Sequence, residues 1–304
     1  MNDLMICVEW GTAQLRARIL DGQGRTVEAH IEGVRLADLD RAGIVERIDG
    51  LRRQWPDVPG PIMLSGMIGS TMGWQEVARL DCPAGAGAIA DGAVATTIGT
   101  HPVVFLPGLA CTSRFGDPDM LRGEEVAAIG ALAQAHGQPG LLLLVPGMHG
   151  KWLTHDGIAI THFHTSMTVE LYRVLAERSV LAPLMAAEPV EGMPFRAGVA
   201  RGAEGGGLAR LLFAARSAVQ AGALDTHGAA SFLWGLLIGA DVRENPQLAP
   251  DTACLVAGNA AVAPLFAAAI RQLGGTAEVG DADRLTATGF RRLATFLRAE
   301  GIFA

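Results

Sequence analysis

The sequence is poor in cysteine, in charge and in long apolar runs, and each shortage excludes a class of protein. Its four cysteines, Cys7, Cys82, Cys111 and Cys254, lie far apart and form no C-x-x-C pair. This spacing offers neither a metal knuckle nor a disulfide framework, and it fits a reducing compartment.

Charged residues make up only 18% of the chain, and the net charge of −7 with a pI near 5.6 argues against a nucleic-acid surface. The longest apolar tracts, such as residues 229–240, fall well short of the ~20 residues that a membrane span needs. The first residues, MNDLMICVEW, lack the basic stretch of a signal peptide. We therefore expect a cytoplasmic protein that binds neither membrane nor nucleic acid.

The residues that are abundant predict a large core. Half of the 304 residues are hydrophobic, and this composition argues against intrinsic disorder. The length of the chain suits two domains. The segment His136–Gly140, HGQPG, closes a predicted helix and is the best candidate for a boundary between them.

Two short apolar strands end in glycine turns that carry polar side chains. In Leu141–Trp152, five apolar residues are followed at once by Pro, Gly, Met, His, Gly and Lys. In Met5–Arg16, a similar strand ends in a carboxylate, a glycine and a hydroxyl. Such turns present backbone N–H groups to an anion, and a nearby carboxylate can hold Mg²⁺. The two turns indicate a phosphate and its metal held between two domains.

Each half of the chain is predicted to begin with strand, glycine turn, strand, hairpin, strand and then helix. The predicted strands are 5–8, 15–20, 26–31, 61–64, 103–106, 141–145, 152–154, 158–164, 254–257 and 277–279. The predicted helices are 37–55, 122–132, 168–176, 196–219, 229–242, 262–273 and 285–297. Residues 83–99, rich in Gly and Ala, are predicted to be irregular.

Three features allow two interpretations each. The loop Ser65–Trp74 either contacts a ligand or is a buried Ω-type loop. The carboxylates of Arg122-Gly123-Glu124-Glu125 either act in chemistry or are first-turn charges favoured by the helix dipole. His162 and His164 share one face of a strand, which is compatible with a metal pair but also with ordinary polar strand residues.

Five motifs then occur in one order: EWGTAQLRA, SGMIGSTMGW followed by CPA, LRGEE, PGMHGKW and THFHTSMTVEL. In this arrangement the chain resembles the 2-keto-3-deoxygalactonate kinase (2-dehydro-3-deoxygalactonokinase) family. That family belongs to the superfamily of actin, hexokinase and the heat-shock chaperone ATPases. The resemblance runs from about Val8 to the C-terminus and includes the segments LWGLLIGADV and LVAGNA.

The resemblance implies an α/β fold of two ribonuclease-H-like (actin-like ATPase) domains, each a mixed five-stranded sheet flanked by helices, with a cleft between them. The domains would be residues 1–138, on the sugar-acid side, and 139–304, with the second phosphate motif and the adenosine site. Two alternatives stay open. The last helix either packs back on the first domain or stays with the second, and the protein is either a monomer or a homodimer.

The resemblance also implies site residues, with ATP and Mg²⁺ bound. Glu124, Glu125 and Lys151 would be catalytic, with Glu124 preferred over Glu125 as the base, and Glu9 would hold the metal. The implied phosphate-binding residues are Gly11, Thr12, Ala13, Gly147, Met148 and His149, and the adenosine-binding ones are Gly258, Asn259 and Ala260. The implied substrate-binding residues are Arg16, Gly66, Met67, Ile68, Gly69, Ser70, Trp74 and Arg122.

The activity implied is transfer of the γ-phosphoryl group of ATP to the 6-hydroxyl of 2-dehydro-3-deoxy-D-galactonate. Glu9, Ala13 and Met148 differ from the Asp, hydroxyl and Thr that the family usually carries there. These differences motivate an alternative, a catalytically weakened homologue that binds the sugar acid or nucleotide as a sensor. A kinase for another 2-keto-3-deoxy sugar acid is the third hypothesis.

Overall fold

The computed structural model describes residues 4–245, 247–248 and 252–302, and strands and helices alternate along them. The chain divides into two compact units. The first contains the residues up to Pro139, the segment Thr154–His164 and the residues from Ala282 onward. The second contains Gly140–Leu153 and Thr165–Asp281. The predicted division into domains 1–138 and 139–304 stays a prediction.

The elements before Pro139 are mostly short strands. They are β1 (Met5–Trp10), β2 (Leu15–Leu20), β3 (Thr26–Glu32), α1 (Arg41–Gln54), β4 (Ile62–Gly66), β5 (Leu80–Asp81), β6 (Ala84–Gly85), α2 (Ala86–Asp91), β7 (Val94–Ile98), β8 (His101–Phe105), β9 (Leu109–Thr112), β10 (Pro118–Leu121) and α3 (Glu124–Gln134). Two short 3-10 turns, Leu36–Asp38 and Met67–Gly69, lie among them.

Helices predominate after Pro139. The elements are β11 (Gly140–Val145), β12 (Gly150–His155), β13 (Ala159–Ser166), α4 (Thr168–Arg178), a 3-10 turn (Ala182–Leu184), α5 (Met193–Ala203), α6 (Leu208–Gln220), α7 (Thr226–Arg243), β14 (Ala253–Gly258), α8 (Ala263–Gln272), β15 (Thr276–Gly280) and α9 (Ala282–Ala299). The α/β class is confirmed.

The main sheet of the first unit is mixed and has six strands, in the order β3-β2-β1-β4-β8-β7. The expectation of five strands was one too low, because the segment predicted to be irregular supplies β7, which pairs with β8. Strands β1, β4 and β8 are parallel, so their carboxyl ends share one edge. The meander β1-β2-β3 is confirmed, and Asp21 closes its hairpin by accepting hydrogen bonds from the N–H groups of Gln23 and Arg25, both at 2.9 Å.

In the second unit, β15, β14, β11 and β12 are neighbours in that order. Strands β11 and β14 are parallel with Val145 opposite Gly258, so the turns that follow them emerge side by side. Trp152, Trp234 and Phe266 form edge-to-face contacts in the core of this unit, with ring centroids 6.4 and 6.5 Å apart. Within the described ranges, no helix has both the length and the apolar character needed to cross a membrane.

Two helix predictions and one prediction of irregular structure required correction. The segment 37–55 is a 3-10 turn followed by α1, because Asp40 caps the N–H of Gly43 and starts the helix there. The segment 196–219 is two helices, since Gly205, Gly206 and Gly207 all have positive φ and interrupt it. Residues 83–99 contain β6, α2 and β7, whose formation depends on packing that local composition does not reveal.

Helices α3 and α9 of the first unit approach closely through two glycines. A Cβ built on Gly130 would lie 1.9 Å from the carbonyl oxygen of Leu285, and one built on Gly289 would lie 1.9 Å from that of Val126. These backbones can be adjacent only because neither glycine has a side chain.

We predict that Gly130→Ala destabilises the protein by about 1–3 kcal/mol or more, since the methyl group forces the helices apart. Gly50→Ala is the matched control, because Gly50 also lies inside a helix but its Cβ would meet only Arg53 Nη2, at 4.0 Å. That control should stabilise by about 0.5–1 kcal/mol. Thermal unfolding measures both, and equal shifts in Tm would contradict the close-contact explanation.

Candidate active site

Three predicted motif segments meet in the first unit, at the carboxyl ends of β1 and β4. Trp10 lies opposite Gly66 in the parallel pairing. Gly66 has φ +95°, and a Cβ there would be 2.6 Å from the carbonyl oxygen of Trp10. Gly123, at the start of α3, is in van der Waals contact with this turn, because a Cβ on it would be 3.4 Å from Gly66 Cα. We call this meeting of residues 9–13, 65–70 and 122–125 the first cluster.

Glu125 joins two of these segments. One carboxylate oxygen accepts from Ser65 Oγ at 2.7 Å, and the other accepts from Gly123 N at 2.5 Å. The side chain is fully buried, which raises the pKa of Glu125 to about 7, although the hydrogen bond from Ser65 acts in the opposite direction. Glu124 is partly exposed and accepts only a 3.2 Å hydrogen bond from Arg122 N.

Arg122 points an unused donor into the first cluster. Its Nη2 donates to the carbonyl oxygen of Val77 at 2.7 Å. Its Nη1 is buried and has no hydrogen-bond partner among the described residues, and it would lie 3.2 Å from a Cβ on Gly69. Burial lowers the pKa of Arg122. A buried guanidinium N–H with no acceptor is costly, and an anionic ligand would satisfy it.

Glu9 is engaged by a buried arginine. Its Oε2 accepts from Arg18 Nη2 at 2.6 Å, while Arg18 Nη1 donates to the carbonyl oxygen of Asp283 at 3.0 Å. Its other oxygen is 3.5 Å from Thr286 Oγ1. Burial raises the pKa of Glu9, and the Arg18 charge opposes that shift. Direct metal ligation by Oε2 would have to displace Arg18, so this carboxylate suits a contact to Mg²⁺ through water.

The remaining predicted residues of the first unit line the same region. Gly11, Thr12 and Ala13 are exposed in a turn closed by a 2.9 Å hydrogen bond from Gly11 N to the carbonyl oxygen of Gln14. Arg16 Nε donates to Gln14 Oε1 at 2.7 Å, so this arginine is already held locally.

The loop that follows β4 is tightly folded. Ile68 and Gly69 are buried, Met67 is partly buried, and Ser70 Oγ donates to the carbonyl oxygen of Met67 at 2.6 Å. Trp74 is partly exposed, with the Arg41 guanidinium 4.4 Å above its ring.

A second cluster lies in the second unit, where the turns after β11 and β14 are adjacent. Asn259 N donates to the carbonyl oxygen of Val145 at 2.9 Å. Gly258 has φ +142°, and a Cβ there would be 2.3 Å from that same carbonyl oxygen. The predicted phosphate turn, residues 146–151, and the predicted adenosine turn, residues 258–260, therefore meet at one edge of this unit's sheet.

Polar contacts fix the phosphate turn. Lys151 is 7% exposed and its Nζ donates to Thr165 Oγ1 at 2.5 Å. His149 Nε2 is 2.7 Å from Glu170 Oε2, and Glu170 N donates to the carbonyl oxygen of Met148 at 3.0 Å. Gly147 is exposed. Backbone N–H groups of such a turn, beside one buried cation, are suited to phosphate oxygens.

The family described as 2-keto-3-deoxy-galactonokinase matches residues 9–293 of this chain, nearly its whole length. The chain belongs to this galactonokinase family. It is 32% identical over 246 residues to 2-dehydro-3-deoxygalactonokinase of Escherichia coli (strain K12), with 80% of each protein covered. The resemblance that the five motifs indicated is confirmed.

Solved structures agree with this membership. A crystal structure from Sinorhizobium meliloti, described as a candidate 2-dehydro-3-deoxygalactonokinase, superposes with a TM-score of 0.86 at 26% identity, covering 97% of this chain and 99% of that one. Component A of (R)-2-hydroxyglutaryl-CoA dehydratase from Acidaminococcus fermentans shares the fold alone, with a TM-score of 0.52 at 9% identity, covering 98% and 99%. The predicted actin-like ATPase fold is confirmed.

Sequence reasoning on this galactonokinase-family chain missed several residues that hold the clusters together. Arg18 could have been found from the hairpin register, which places it diagonally across from Glu9. Asp241 is a carboxylate at the end of the otherwise apolar run LWGLLIGADV. Lys151 carries a further signal, because it is the only lysine in the entire sequence. Within the described ranges, no three His, Cys, Asp or Glu side chains gather as a metal site, so the His162–His164 pair has no third ligand of these types.

Proposed function

We propose that this chain transfers the γ-phosphoryl group of ATP to the 6-hydroxyl of 2-dehydro-3-deoxy-D-galactonate, with Mg²⁺ bound to the nucleotide. Family membership supports the reaction class, and the name of the Escherichia coli relative supports the substrate. The observation that carries the proposal is the buried, unpartnered Nη1 of Arg122 in the cluster that also contains Glu124, because a sugar acid needs a cation for its carboxylate and a kinase needs a proton acceptor.

We assign the sugar acid to the first cluster. Its carboxylate accepts hydrogen bonds from Arg122, with the glycine-rich loop 66–70 and Trp74 around the carbon chain and Arg16 nearer the solvent. Glu124 accepts the proton of the 6-hydroxyl as that oxygen attacks the γ-phosphorus. The bond from the γ-phosphorus to the β,γ-bridging oxygen breaks, and ADP leaves. Glu124 suits this role better than Glu125, since a base must reach the proton and Glu125 is enclosed by Ser65 and Gly123.

We assign ATP to the second cluster. The N–H groups of Gly147, Met148 and His149 and the ammonium of Lys151 would contact phosphate oxygens, and residues 258–260 would approach the adenosine. The turn Gly11–Ala13 would contact a phosphate oxygen. Mg²⁺ neutralises charge on the phosphates when bound, and Glu9 would contact it through water, as Mg²⁺ usually keeps several waters.

A substrate panel tests the proposed function. Purified protein with ATP and Mg²⁺ is assayed for ADP release with 2-dehydro-3-deoxy-D-galactonate, its C4 epimer 2-dehydro-3-deoxy-D-gluconate, and D-galactonate. We expect the highest kcat/KM for the first compound, with the phosphate on C6 by ³¹P NMR. Binding without turnover would favour the sensor alternative, and preference for the epimer would favour a kinase of another sugar acid.

We predict that Arg122→Met raises KM for the sugar acid by about ten- to a hundredfold, because a charge-assisted hydrogen bond worth about 1.5–3 kcal/mol is lost. KM for ATP should change little. Arg16→Met is the control, since Arg16 is held by Gln14. Steady-state kinetics with each substrate varied in turn measures both, and a larger effect at Arg16 would transfer the carboxylate site to that residue.

A further inference from the structure

Two segments named in the sequence motifs, THFHTSMTVEL and LWGLLIGADV, have so far no assigned role. In the second unit they meet at Asp241, on α7. Its Oδ2 accepts from Ser166 Oγ and from Thr168 Oγ1, both at 2.6 Å, and its Oδ1 accepts from Trp152 Nε1 at 3.0 Å. Asp241 is 8% exposed, so three donors converge on one buried carboxylate.

Two of the three partners of Asp241 lie next to the residues of the Lys151–Thr165 hydrogen bond. Trp152 follows Lys151 directly in β12. Ser166 follows Thr165, whose hydroxyl accepts from Lys151 Nζ at 2.5 Å. Successive strand residues point to opposite faces, so Lys151 and Thr165 pair on one face while Trp152 and Ser166 reach Asp241 on the other. Asp241 thus fixes both strands whose ends hold the ammonium.

The segment that contains Ser166 and Thr168 also contacts the phosphate turn directly. Two residues after Thr168, the Glu170 carboxylate accepts from His149 Nε2 at 2.7 Å, and the Glu170 N–H donates to the carbonyl oxygen of Met148 at 3.0 Å. Trp152 is also packed edge-to-face on Phe266, so its ring cannot shift freely. The carboxylate, the ring and the segment 165–170 form one connected framework around the turn.

We propose that Asp241 is a positioning residue that fixes the phosphate-binding turn by holding Trp152, Ser166 and Thr168 in place. It does not touch the nucleotide. The functional consequence rests on the assignment of ATP to this turn, whereas the structural one does not. Asp241→Asn tests it, because an amide keeps the size but cannot accept from the indole and both hydroxyls with one oxygen.

The sole lysine of the chain supplies a readout that needs no activity. An amine-acylating reagent should modify Lys151 slowly in the unaltered protein, since Lys151 is 7% exposed and bound to Thr165. The N-terminal amine also reacts, and mass spectrometry of proteolytic peptides distinguishes its acylation from that of Lys151. We expect Asp241→Asn to speed this modification about tenfold and to raise Kd for a non-hydrolysable ATP analogue with Mg²⁺ about tenfold, the effect of one lost hydrogen bond.

Val199→Ala is the control, because it removes core packing on α5 while Val199 takes part in none of the three Asp241 hydrogen bonds. It should lower Tm but leave both Lys151 reactivity and nucleotide Kd unchanged. Equal effects of the two variants on Lys151 would overturn the proposal, and so would unchanged reactivity or unchanged Kd in Asp241→Asn.

Two further outcomes complete the test. Should Asp241→Asn fail to fold, Trp152→Phe and Ser166→Ala each remove one donor, and each should speed Lys151 modification. The proposed function fails separately if the unaltered protein binds the ATP analogue yet turns over no sugar acid. Lys151 reactivity and the Kd of the analogue in Asp241→Asn then still decide whether Asp241 positions the turn. Absence of nucleotide binding in the unaltered protein would overturn the functional consequence, and Lys151 labelling would still decide the structural one.

Discussion

Replacing Glu124 by glutamine should lower kcat by about 10²–10⁴-fold, the usual contribution of a general base. The amide keeps the shape of the side chain but cannot take the proton of the 6-hydroxyl. KM for both substrates should stay within a few-fold of its value in the unaltered enzyme, because binding does not require the proton transfer. Steady-state kinetics with saturating ATP gives the comparison.

Glu125→Gln is the matched variant, one residue away in the same helix. It should lower kcat by no more than about tenfold, since it weakens one of two hydrogen bonds to Ser65 and Gly123. If Glu125→Gln abolishes turnover while Glu124→Gln leaves it intact, Glu125 is the base and the buried geometry has to open.

The pH dependence of protein stability provides an independent way to distinguish these two variants. The pKa of Glu125 is raised from 4.5 to about 7, so its folded carboxyl stays protonated where the unfolded one ionises. Folding is therefore penalised progressively as pH rises from about 4.5 to about 7, and the penalty is constant above that range. Glu125→Gln should flatten this part of the Tm–pH curve. Glu124→Gln should keep it and move its upper end slightly to lower pH, because the Glu124 charge is a minor cause of the raised pKa of Glu125.

Replacing Lys151 by methionine should lower kcat/KM for ATP by about 10²–10³-fold, the size of effect seen when one donor to developing charge is removed. Methionine fills a similar volume without the charge, so the buried site should tolerate it. Kd for the sugar acid, measured by calorimetry without nucleotide, should be unchanged, because we assign that ligand to the first cluster.

Labelling gives a second test of Lys151. ATP with Mg²⁺ should protect Lys151 from acylation, and the sugar acid alone should not. Thr165→Val is the control variant, since it removes the partner of Nζ but leaves the ammonium in place. It should have a clearly smaller effect on kcat/KM than Lys151→Met. Full activity of Lys151→Met would exclude a phosphate contact by this side chain.

The parts of the fold that sequence predicted well are those whose signal is local. Strand β2 was placed at its observed ends, Leu15 and Leu20, because its apolar pattern lies between two turn sequences. The break at Gly205–Gly207 was missed, since the helical periodicity of α5 and α6 continues across it while the backbone does not. Helix α2 was missed because its stability comes from burial of Ala86, Ile89 and Ala90 rather than from propensity.

The predictions for the candidate site also divide into local signals, which the sequence carries, and contacts between distant residues, which it does not. Motif order identified the segments around Gly66, Gly123 and Lys151, and the structure brings them together within their two clusters. The contacts that hold them depend on residues distant in sequence, such as Ser65 with Glu125 and Trp152 with Asp241. No spacing rule predicts such pairs, because they form only when strands and helices are packed. Predicted roles for individual site residues therefore stay predictions until the variants are measured.

The glycine contact between α3 and α9 has a consequence for biosynthesis. The partner of Gly130 is Leu285, and the whole second unit is encoded between them. At ribosomal speeds, on the order of ten seconds pass between emergence of α3 and emergence of α9. During that interval the nascent first unit lacks its last helix and presents an uncovered small-residue face. We expect the first unit to close only after α9 has been synthesised, well after α3 is complete.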